Sequence, residues 1–297
     1  MSYGIVVPVY YGRSFVRRAL DSIFAQTDIT DPMFVFVIDD GTPVHESVAD
    51  LVAAYPVRYY RMEENQGVFH TRLFGLSQIP RDVKYCAFLD QDDAWRPDFL
   101  STLSRVLESN DRAGFAACNA YIIEDHQGKT GHILYETRRP SLLLEDLKVA
   151  NQLISPSQVL IRRQALDALR YHNATLPYSG ADDWLFWLSI LSQGYQATYT
   201  DSILVDYYDH EQGAHHDVKA MTWSEEYIVQ QYFPLLKFSV WDQRLYRGRV
   251  GWDHIVEGIR TKNLSRLFTG LRFLLTDPHA LNQARLFRRR HKRQGIV

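Results

Sequence analysis

The chain alternates short apolar runs with stretches of helical periodicity, and each run stops at a polar or acidic turn. Ile5-Val6-Val7-Pro8-Val9-Tyr10 is mostly β-branched and reads as a strand, and after Gly12 the residues Phe15, Val16, Ala19, Leu20, Ile23 and Phe24 recur at helical spacing. Phe34-Val35-Phe36-Val37-Ile38 is apolar throughout, as a strand covered on both faces would be, and ends at Asp39-Asp40-Gly41-Thr42-Pro43. Thr42 and Pro43 are start signals for a helix whose buried stripe would be Val44, Val48, Leu51, Val52 and Tyr55. A strand over 57–62, a helical stretch from Asn65-Gln66-Gly67 to about Leu76, and a strand over 85–89 repeat the unit. The alternation predicts an α/β fold with a mostly parallel, doubly wound sheet flanked by helices.

In such sheets ligands bind beyond the carboxyl ends of the strands, and here those ends carry Asp39, Asp40, Asp90, Asp92 and Asp93. Asp90-Gln91-Asp92-Asp93 packs three carboxylates into four positions, which is costly unless their repulsion is relieved. A divalent cation is the simplest remedy, and hard oxygen ligands favour Mg²⁺ or Mn²⁺. The competing reading is a solvated acidic turn with Asp capping the next helix. Asp39-Asp40-Gly41-Thr42 is also ordinary turn chemistry. It resembles the Asp-x-Asp-Gly-Thr of haloacid-dehalogenase-type phosphatases, but Ile38 stands at the nucleophile position and cannot attack phosphorus.

The chain is 46% hydrophobic and 23% charged over 297 residues, enough apolar surface to fold without disulfides or a structural metal. Cys86 and Cys118 each lie in an apolar run and read as buried thiols, which with the absence of a signal-like or membrane-spanning stretch leads to an expected cytoplasmic location. Three segments are expected: 1–112, 113–235 and 236–297. The second is less legible, with loops and strands over 124–160, a short helix over 162–170 and an apolar helix over 181–193. The third is helical and basic. Residues 237–297 hold 14 Lys plus Arg against 4 Asp plus Glu, a balance of +10 within a total of −2. Its interleaved Leu264, Leu267, Phe268, Leu271, Phe273, Leu274 and Leu275 suit an amphipathic helix at an anionic membrane surface, with a solvated helical face or self-association as alternatives. Nucleic acid is not expected, since no recognition fold is evident.

Pro8-Val9-Tyr10 after the first strand, Ile38-Asp39-Asp40-Gly41-Thr42 after the second, Asn65-Gln66-Gly67 followed by Arg72, and Phe88-Leu89-Asp90-Gln91-Asp92-Asp93 with Trp95 and Pro97 together resemble family 2 glycosyltransferases of the GT-A fold. The likeness is strong over about 3–110 and weaker to about 212. It implies that Pro8 and Tyr10 belong to the nucleotide pocket, that Asp39 accepts from the edge of a uracil- or thymine-type base, and that Arg72 lies near the base or the diphosphate. Asp90 and Asp92 match the family's Asp-x-Asp, Asp92 as metal ligand and Asp90 nearer the ribose, and Asp40 and Asp93 extend the acidic cluster. Gly180-Ala181-Asp182-Asp183-Trp184-Leu185-Phe186-Trp187-Leu188 is similar to the family's Glu-Asp pair before an apolar helix, which makes Asp183 the general base. Asp182 replaces the usual Glu, and Ser189 stands where many members have Arg. Asp206-Tyr207-Tyr208-Asp209-His210 falls where the family often has Tyr-Arg-x-His, so His210 is a candidate metal or diphosphate ligand, with Tyr208 in place of the Arg. A separate transition-metal site of His210, His215 and His216 lacks the spacing of a zincin helix. A polar loop closing over the donor is the other reading of this stretch.

The resemblance implies an inverting, Mn²⁺- or Mg²⁺-dependent glycosyltransferase that moves a hexosyl group from a nucleotide-diphospho-sugar to a glycan or lipid-linked acceptor in surface polysaccharide assembly. Transfer of single sugars is expected, because the Gln-x-x-Arg-Trp motif and membrane spans of processive members are missing from this sequence. Two other classes remain open: a nucleotide-sugar or glycan-binding protein that keeps the fold without the reaction, and a metal-dependent phosphate-ester hydrolase.

Overall fold

A computed structural model describes residues 1–124, 130–137, 139–167, 176, 177, 180–210, 213 and 217–294. The chain forms two compact units. The first comprises 1–136 and 153–224, the second 137–152 and 225–297.

The first unit runs β1 (Tyr3–Val9), α1 (Val16–Phe24), β2 (Met33–Asp39), α2 (Ala49–Val52), β3 (Arg58–Arg61), α3 (Val68–Gln78), β4 (Tyr85–Phe88), β5 (Ala94–Trp95), α4 (Phe99–Glu108), β6 (Ala113–Glu124) and β7 (Thr130–Ile133). After α5 (Leu144–Leu147), which belongs to the second unit, it resumes with β8 (Val159–Arg162), α6 (Arg163–Asp167), α7 (Asp182–Ser192), β9 (Gln196–Asp209) and the start of α8 (Val218–Tyr227). Among the described residues nine strands make one sheet of order β3-β2-β1-β4-β8-β6-β9-β5, with β7 on β6. Strands β3, β2, β1 and β4 are mutually parallel, and so are β6 and β9. Strand β8 runs antiparallel between β4 and β6 and joins the two parallel halves. The sheet is therefore mixed beyond β4, where the sequence pattern had also become harder to read.

Strand periodicity sends alternate residues to opposite faces. Ile5, Val7 and Val9 of β1, with Val35 and Val37 of β2, pack with Val16, Ala19 and Leu20 of α1 and with Phe99, Leu100 and Leu103 of α4. On the other face, Phe88 and Phe69 meet Phe186 of α7. A Cβ on Gly75 of α3 would lie 2.4 Å from Val6, so α3 sits close against β1 because position 75 has no side chain. Helix α7 is buried almost all round, and each large apolar side chain so buried, such as Trp184 and Trp187, contributes about 2–3 kcal/mol.

The helix expected from Thr42 to Tyr55 is instead a single 3₁₀ turn, Val44–Glu46, and the four-residue α2. Ser47 is extended (φ −57°, ψ 146°) and breaks the helix, its hydroxyl accepting from Ala49 N at 3.2 Å. The Thr42 hydroxyl accepts from Tyr11 N at 3.2 Å rather than capping a helix, and Val44 is exposed.

The second unit adds a π-helical turn, Ile228–Tyr232, then α9 (Phe233–Leu235), α10 (Val240–Arg260), α11 (Leu264–Thr276) and α12 (Pro278–Gln294). Ser239 and Asp242 form a reciprocal capping box at the start of α10, and the Asn263 side chain caps α11. Arg249 of α10 ties the second unit together, donating to Glu225 at 2.7 Å, to Asp253 at 3.2 Å and to the Val149 carbonyl at 3.1 Å. No helix among the described residues is long and apolar enough to cross a membrane.

Candidate active site

Because β1, β2 and β4 are parallel, their carboxyl ends lie on one edge of the sheet, and the loops that follow them meet there. They line a cavity of about 500 Å³ in the first unit. Pro8, Tyr10 and Tyr11 come from the end of β1, Asp40 from the end of β2, Arg72 from α3, and Asp90, Gln91 and Asp92 from the turn after β4. Asp182 and Asp183 reach it from the first turn of α7, and His210 from just beyond β9. Residues separated by more than a hundred positions in the chain thus face one space. Asp39 and Asp93 are buried and do not line it.

The three carboxylates after β4 have three different surroundings. Arg72, almost wholly buried, bridges Asp90 and Asp182 through its two terminal nitrogens. Burial alone would disfavour its charge, but the Asp182 and Asp90 carboxylates outweigh that and raise the guanidinium above its ordinary value. Burial also pushes Asp90 upward, against the pull of Arg72. Asp92 is paired with His210, whose Nε2 lies 2.8 Å from Asp92 Oδ2. That bond raises the imidazole above its ordinary value despite partial burial. For Asp93, burial and the Asp92 and Asp90 charges hold the carboxyl well above the usual range. Its Oδ2 accepts from Ser155 Oγ at 2.8 Å, while its Oδ1 has no hydrogen-bond partner among the described residues. Arg72 on Asp90 and His210 on Asp92 thus offset part of the repulsion within the turn.

Asp39 and Asp40 divide their work. Asp39 Oδ1 accepts from Thr42 N at 2.8 Å and Oδ2 from the Tyr59 hydroxyl at 2.7 Å, so its carboxylate holds the turn behind the cavity wall. Burial, with Asp39 alongside, pushes the Tyr59 phenol up to about 12. Asp40 faces the cavity and accepts from Gln66 N and Gly67 N at 2.8 and 2.9 Å, which fixes the entry into α3. Asp40, although itself buried, is in the cavity lining, and Asp39, the residue the resemblance singled out, lies directly behind it.

Asp183 sits in the first turn of α7, where a carboxylate is favoured by the helix dipole, and its Oδ1 accepts from Trp184 N at 2.8 Å. It is not the N-cap, a place taken by Ala181 in the left-handed conformation at φ 59°. Gly180 before it has φ 92°, and a Cβ there would come within 2.0 Å of Met221 Sδ. Ser224 Oγ donates to the Gly180 carbonyl, so the start of α8 braces the loop that presents Asp182 and Asp183. Ser189, at the position where many members carry Arg, is buried and donates to the Leu185 carbonyl, away from the cavity.

Several residues that sequence reasoning did not single out complete the site. Gln91 clamps Tyr10, accepting from its N–H at 2.9 Å and donating to its carbonyl at 3.0 Å, and so joins the first loop to the acidic motif. Arg18 of α1 donates to the Asp92 carbonyl at 2.7 Å and lies 3.4 Å above the Tyr208 ring, the residue standing in place of the family's Arg. Phe15 stacks on His210 with ring centroids 4.8 Å apart. Ser157 Oγ accepts from Asp90 N at 3.0 Å. Their one sequence signal is position beside a motif. Among the described residues no group of three or more His, Cys, Asp or Glu side chains is arranged to hold a metal ion by itself. His215 and His216 lie outside the described residues, as do 211, 212 and 214; Gly213 and Met221 line the cavity.

The mixed α/β sheet flanked by helices is of the GT-A transferase type, as solved structures of that fold show by their similarity. Residues 1–349 of TarS from S. aureus, in complex with UDP-GlcNAc, match with a TM-score of 0.67 at 14% identity over 91% of this chain and 80% of that one. Mannosyltransferase PcManGT from Pyrobaculum calidifontis, in complex with GDP-Man and Mn²⁺, matches with a TM-score of 0.54 at 18% identity over all of this chain and 76% of that one. At these identities the likeness is one of fold. Residues 4–170 match the sequence profile of glycosyl transferase family 2, and the chain belongs to that family. Succinoglycan biosynthesis protein ExoW of Rhizobium meliloti is 38% identical over 100 residues, 32% of this chain and 31% of that protein. Minor teichoic acid biosynthesis protein GgaA of Bacillus subtilis is 27% identical over 139 residues, 44% of this chain and 30% of that protein. The chain thus spans less than a third of either relative's length.

Proposed function

We propose that the chain is an inverting glycosyltransferase that moves a hexosyl group from a nucleotide-diphospho-sugar to an acceptor hydroxyl in the assembly of a surface polysaccharide. The observation that carries this reading is one cavity shared by the Asp90-Gln91-Asp92 turn and Asp183. Family membership supports the reaction class, and relatives named for succinoglycan and teichoic acid biosynthesis support a glycan or lipid-linked acceptor.

In this reading Pro8, Tyr10 and Asp40 receive the nucleotide, with Asp39 holding the turn behind them. Arg72 holds Asp90 and Asp182 in place, so that Asp183 is presented at the cavity by a fixed helix start. Asp183 takes the proton of the acceptor hydroxyl as that oxygen bonds to the anomeric carbon, and the bond from that carbon to the diphosphate breaks on the opposite face. One displacement inverts the configuration. Asp92 and His210, one hard oxygen donor and one imidazole in the lining of the same cavity, would hold Mn²⁺ or Mg²⁺. Such an ion, when bound, stabilises the charge that builds on the departing diphosphate.

The test is calorimetric titration of the full chain with UDP, GDP, TDP and CDP, with and without Mn²⁺. Mn²⁺-dependent binding of one nucleotide, lost in Asp92→Ala, is expected. Binding of none of them under either condition would remove the reading.

A further inference from the structure

Helix α11 of the second unit carries an apolar stripe on its outer side. Leu264, Phe268 and Leu275 are 66%, 67% and 84% exposed. Their spacing of four and seven residues places them within about 40° of one another around the helix axis. The opposite side of α11 is already used: Leu267, Gly270 and Phe273 press against Gly258, Ile255 and Gly251 of α10. The stripe therefore does not complete the packing between α10 and α11. Ile259, just before the turn into α11, is exposed as well.

The surroundings are basic. Arg260, Lys262, Arg266 and Arg272 are exposed on or beside the same helix. Of the acidic side chains beside it, Glu257 is shared between Arg260 at 3.0 Å and Arg266 at 3.8 Å, and Asp277 at the end of α11 is paired with Arg244 at 2.6 Å. Residues 237–297 together carry 14 Lys plus Arg against 4 Asp plus Glu. A second copy would bring the same positive charge against itself. A surface of opposite sign would both neutralise the charge and cover the stripe.

We propose that α11 is the docking surface of this chain for a bilayer rich in anionic phospholipid, with Leu264, Phe268 and Leu275 entering the acyl boundary and the flanking bases meeting the headgroups. Long apolar side chains on one face with Arg and Lys beside them are the physical requirement for a helix lying in the interface plane. Since no described helix can span a bilayer, the attachment is peripheral and sensitive to salt.

Flotation of the full chain with phosphatidylglycerol-containing vesicles and with pure phosphatidylcholine vesicles tests this. Cofloating with the first and not the second is expected, lost at high salt. The combined Leu264→Ser, Phe268→Ser and Leu275→Ser variant should lower the vesicle-bound fraction at least about tenfold, and Lys262→Glu with Arg272→Glu should do the same without touching the stripe. These positions are exposed, so an unchanged circular-dichroism melt verifies that the variants fold. Equal flotation with both vesicle types, or none with either, overturns the proposal. So does a dimer in analytical ultracentrifugation that the serine variant converts to monomer, which would make the stripe an interface between copies.

Discussion

Arg72→Met removes the one cation between Asp182 and Asp90. The Arg72 and Asp182 side chains are 4% and 5% exposed, so Asp182 would be left as a buried charge without its partner. Breaking a buried pair in this way costs about 3–5 kcal/mol. Asp90 is 25% exposed and recovers part of its loss through solvent, which places the expected cost near the lower end, about 3 kcal/mol. For a unit of this size that corresponds to a fall in Tm of roughly 6–12 °C. Burial already raises Asp90 against the pull of Arg72, and without Arg72 it takes up a proton more readily, so the deficit should be largest near about pH 7 and shrink toward about pH 4. Urea unfolding of wild type, Arg72→Met and Arg72→Met/Asp182→Asn at both pH values measures it. The double variant should recover at least about 1 kcal/mol at pH 7, because it removes the orphaned charge along with the cation. A single variant within about 0.5 kcal/mol of wild type, or a double variant no more stable than the single, would refute the assignment of Arg72 as the electrostatic bridge.

Three further outcomes follow from particular contacts. Gly180→Ala would force a Cβ into Met221 at a φ of 92°, and should cost about 1–3 kcal/mol in urea unfolding and slow any reaction that needs Asp183; an unchanged variant would mean that α8 does not brace this loop. Burial pushes the Cys86 thiol up to about 12 and the Cys118 thiol higher still, so neither should react with a thiol reagent at about pH 8 until the chain is unfolded, which absorbance of the released thiolate reports. The hydrogen bond from Arg13 lowers Asp50 to about 2, and stability from that pair is present above the ordinary value of 3.8 and lost as the pH falls through about 2. The stability difference between wild type and Asp50→Asn should accordingly vanish in strong acid, and a difference that persists there would contradict the pairing.

Strands β1, β2 and β4 of the parallel half were readable because they are largely buried on both faces, so that 34–38 and 85–89 are unbroken apolar runs ending in turn residues. The same logic identified the acidic strand ends and α7, whose Trp184 and Trp187 admit no exposed face. Where local signals were overridden, a distant partner was responsible. Thr42-Pro43 reads as a helix start, yet the Thr42 hydroxyl is engaged by Tyr11, thirty-one positions away. Asp39 and Asp40 are neighbours in the sequence, and partners from further along the chain distinguish them: the Tyr59 hydroxyl on Asp39, and the Gln66 and Gly67 N–H groups on Asp40. Gln91 on Tyr10, Arg18 beneath Asp92 and Phe15 on His210 are contacts between elements far apart in the chain, and neither periodicity nor spacing encodes them. Arg72 was legible as a residue of the site but not as the bridge between its two carboxylate motifs, because Asp182 lies 110 positions further on.

The central claim is that Asp183 is the base of a sugar transfer from a nucleotide-diphospho-sugar. Its most direct test is the rate of nucleotide diphosphate release from a panel of such donors in the presence of acceptor glycan, for wild type and Asp183→Asn, with nucleotide Kd measured alongside. The account predicts turnover of one donor by wild type, a fall in kcat of at least about 10²-fold in the variant, and a Kd unchanged within about twofold. A variant that turns over at the wild-type rate, or a wild type that binds the nucleotide yet transfers nothing from any donor, would contradict it.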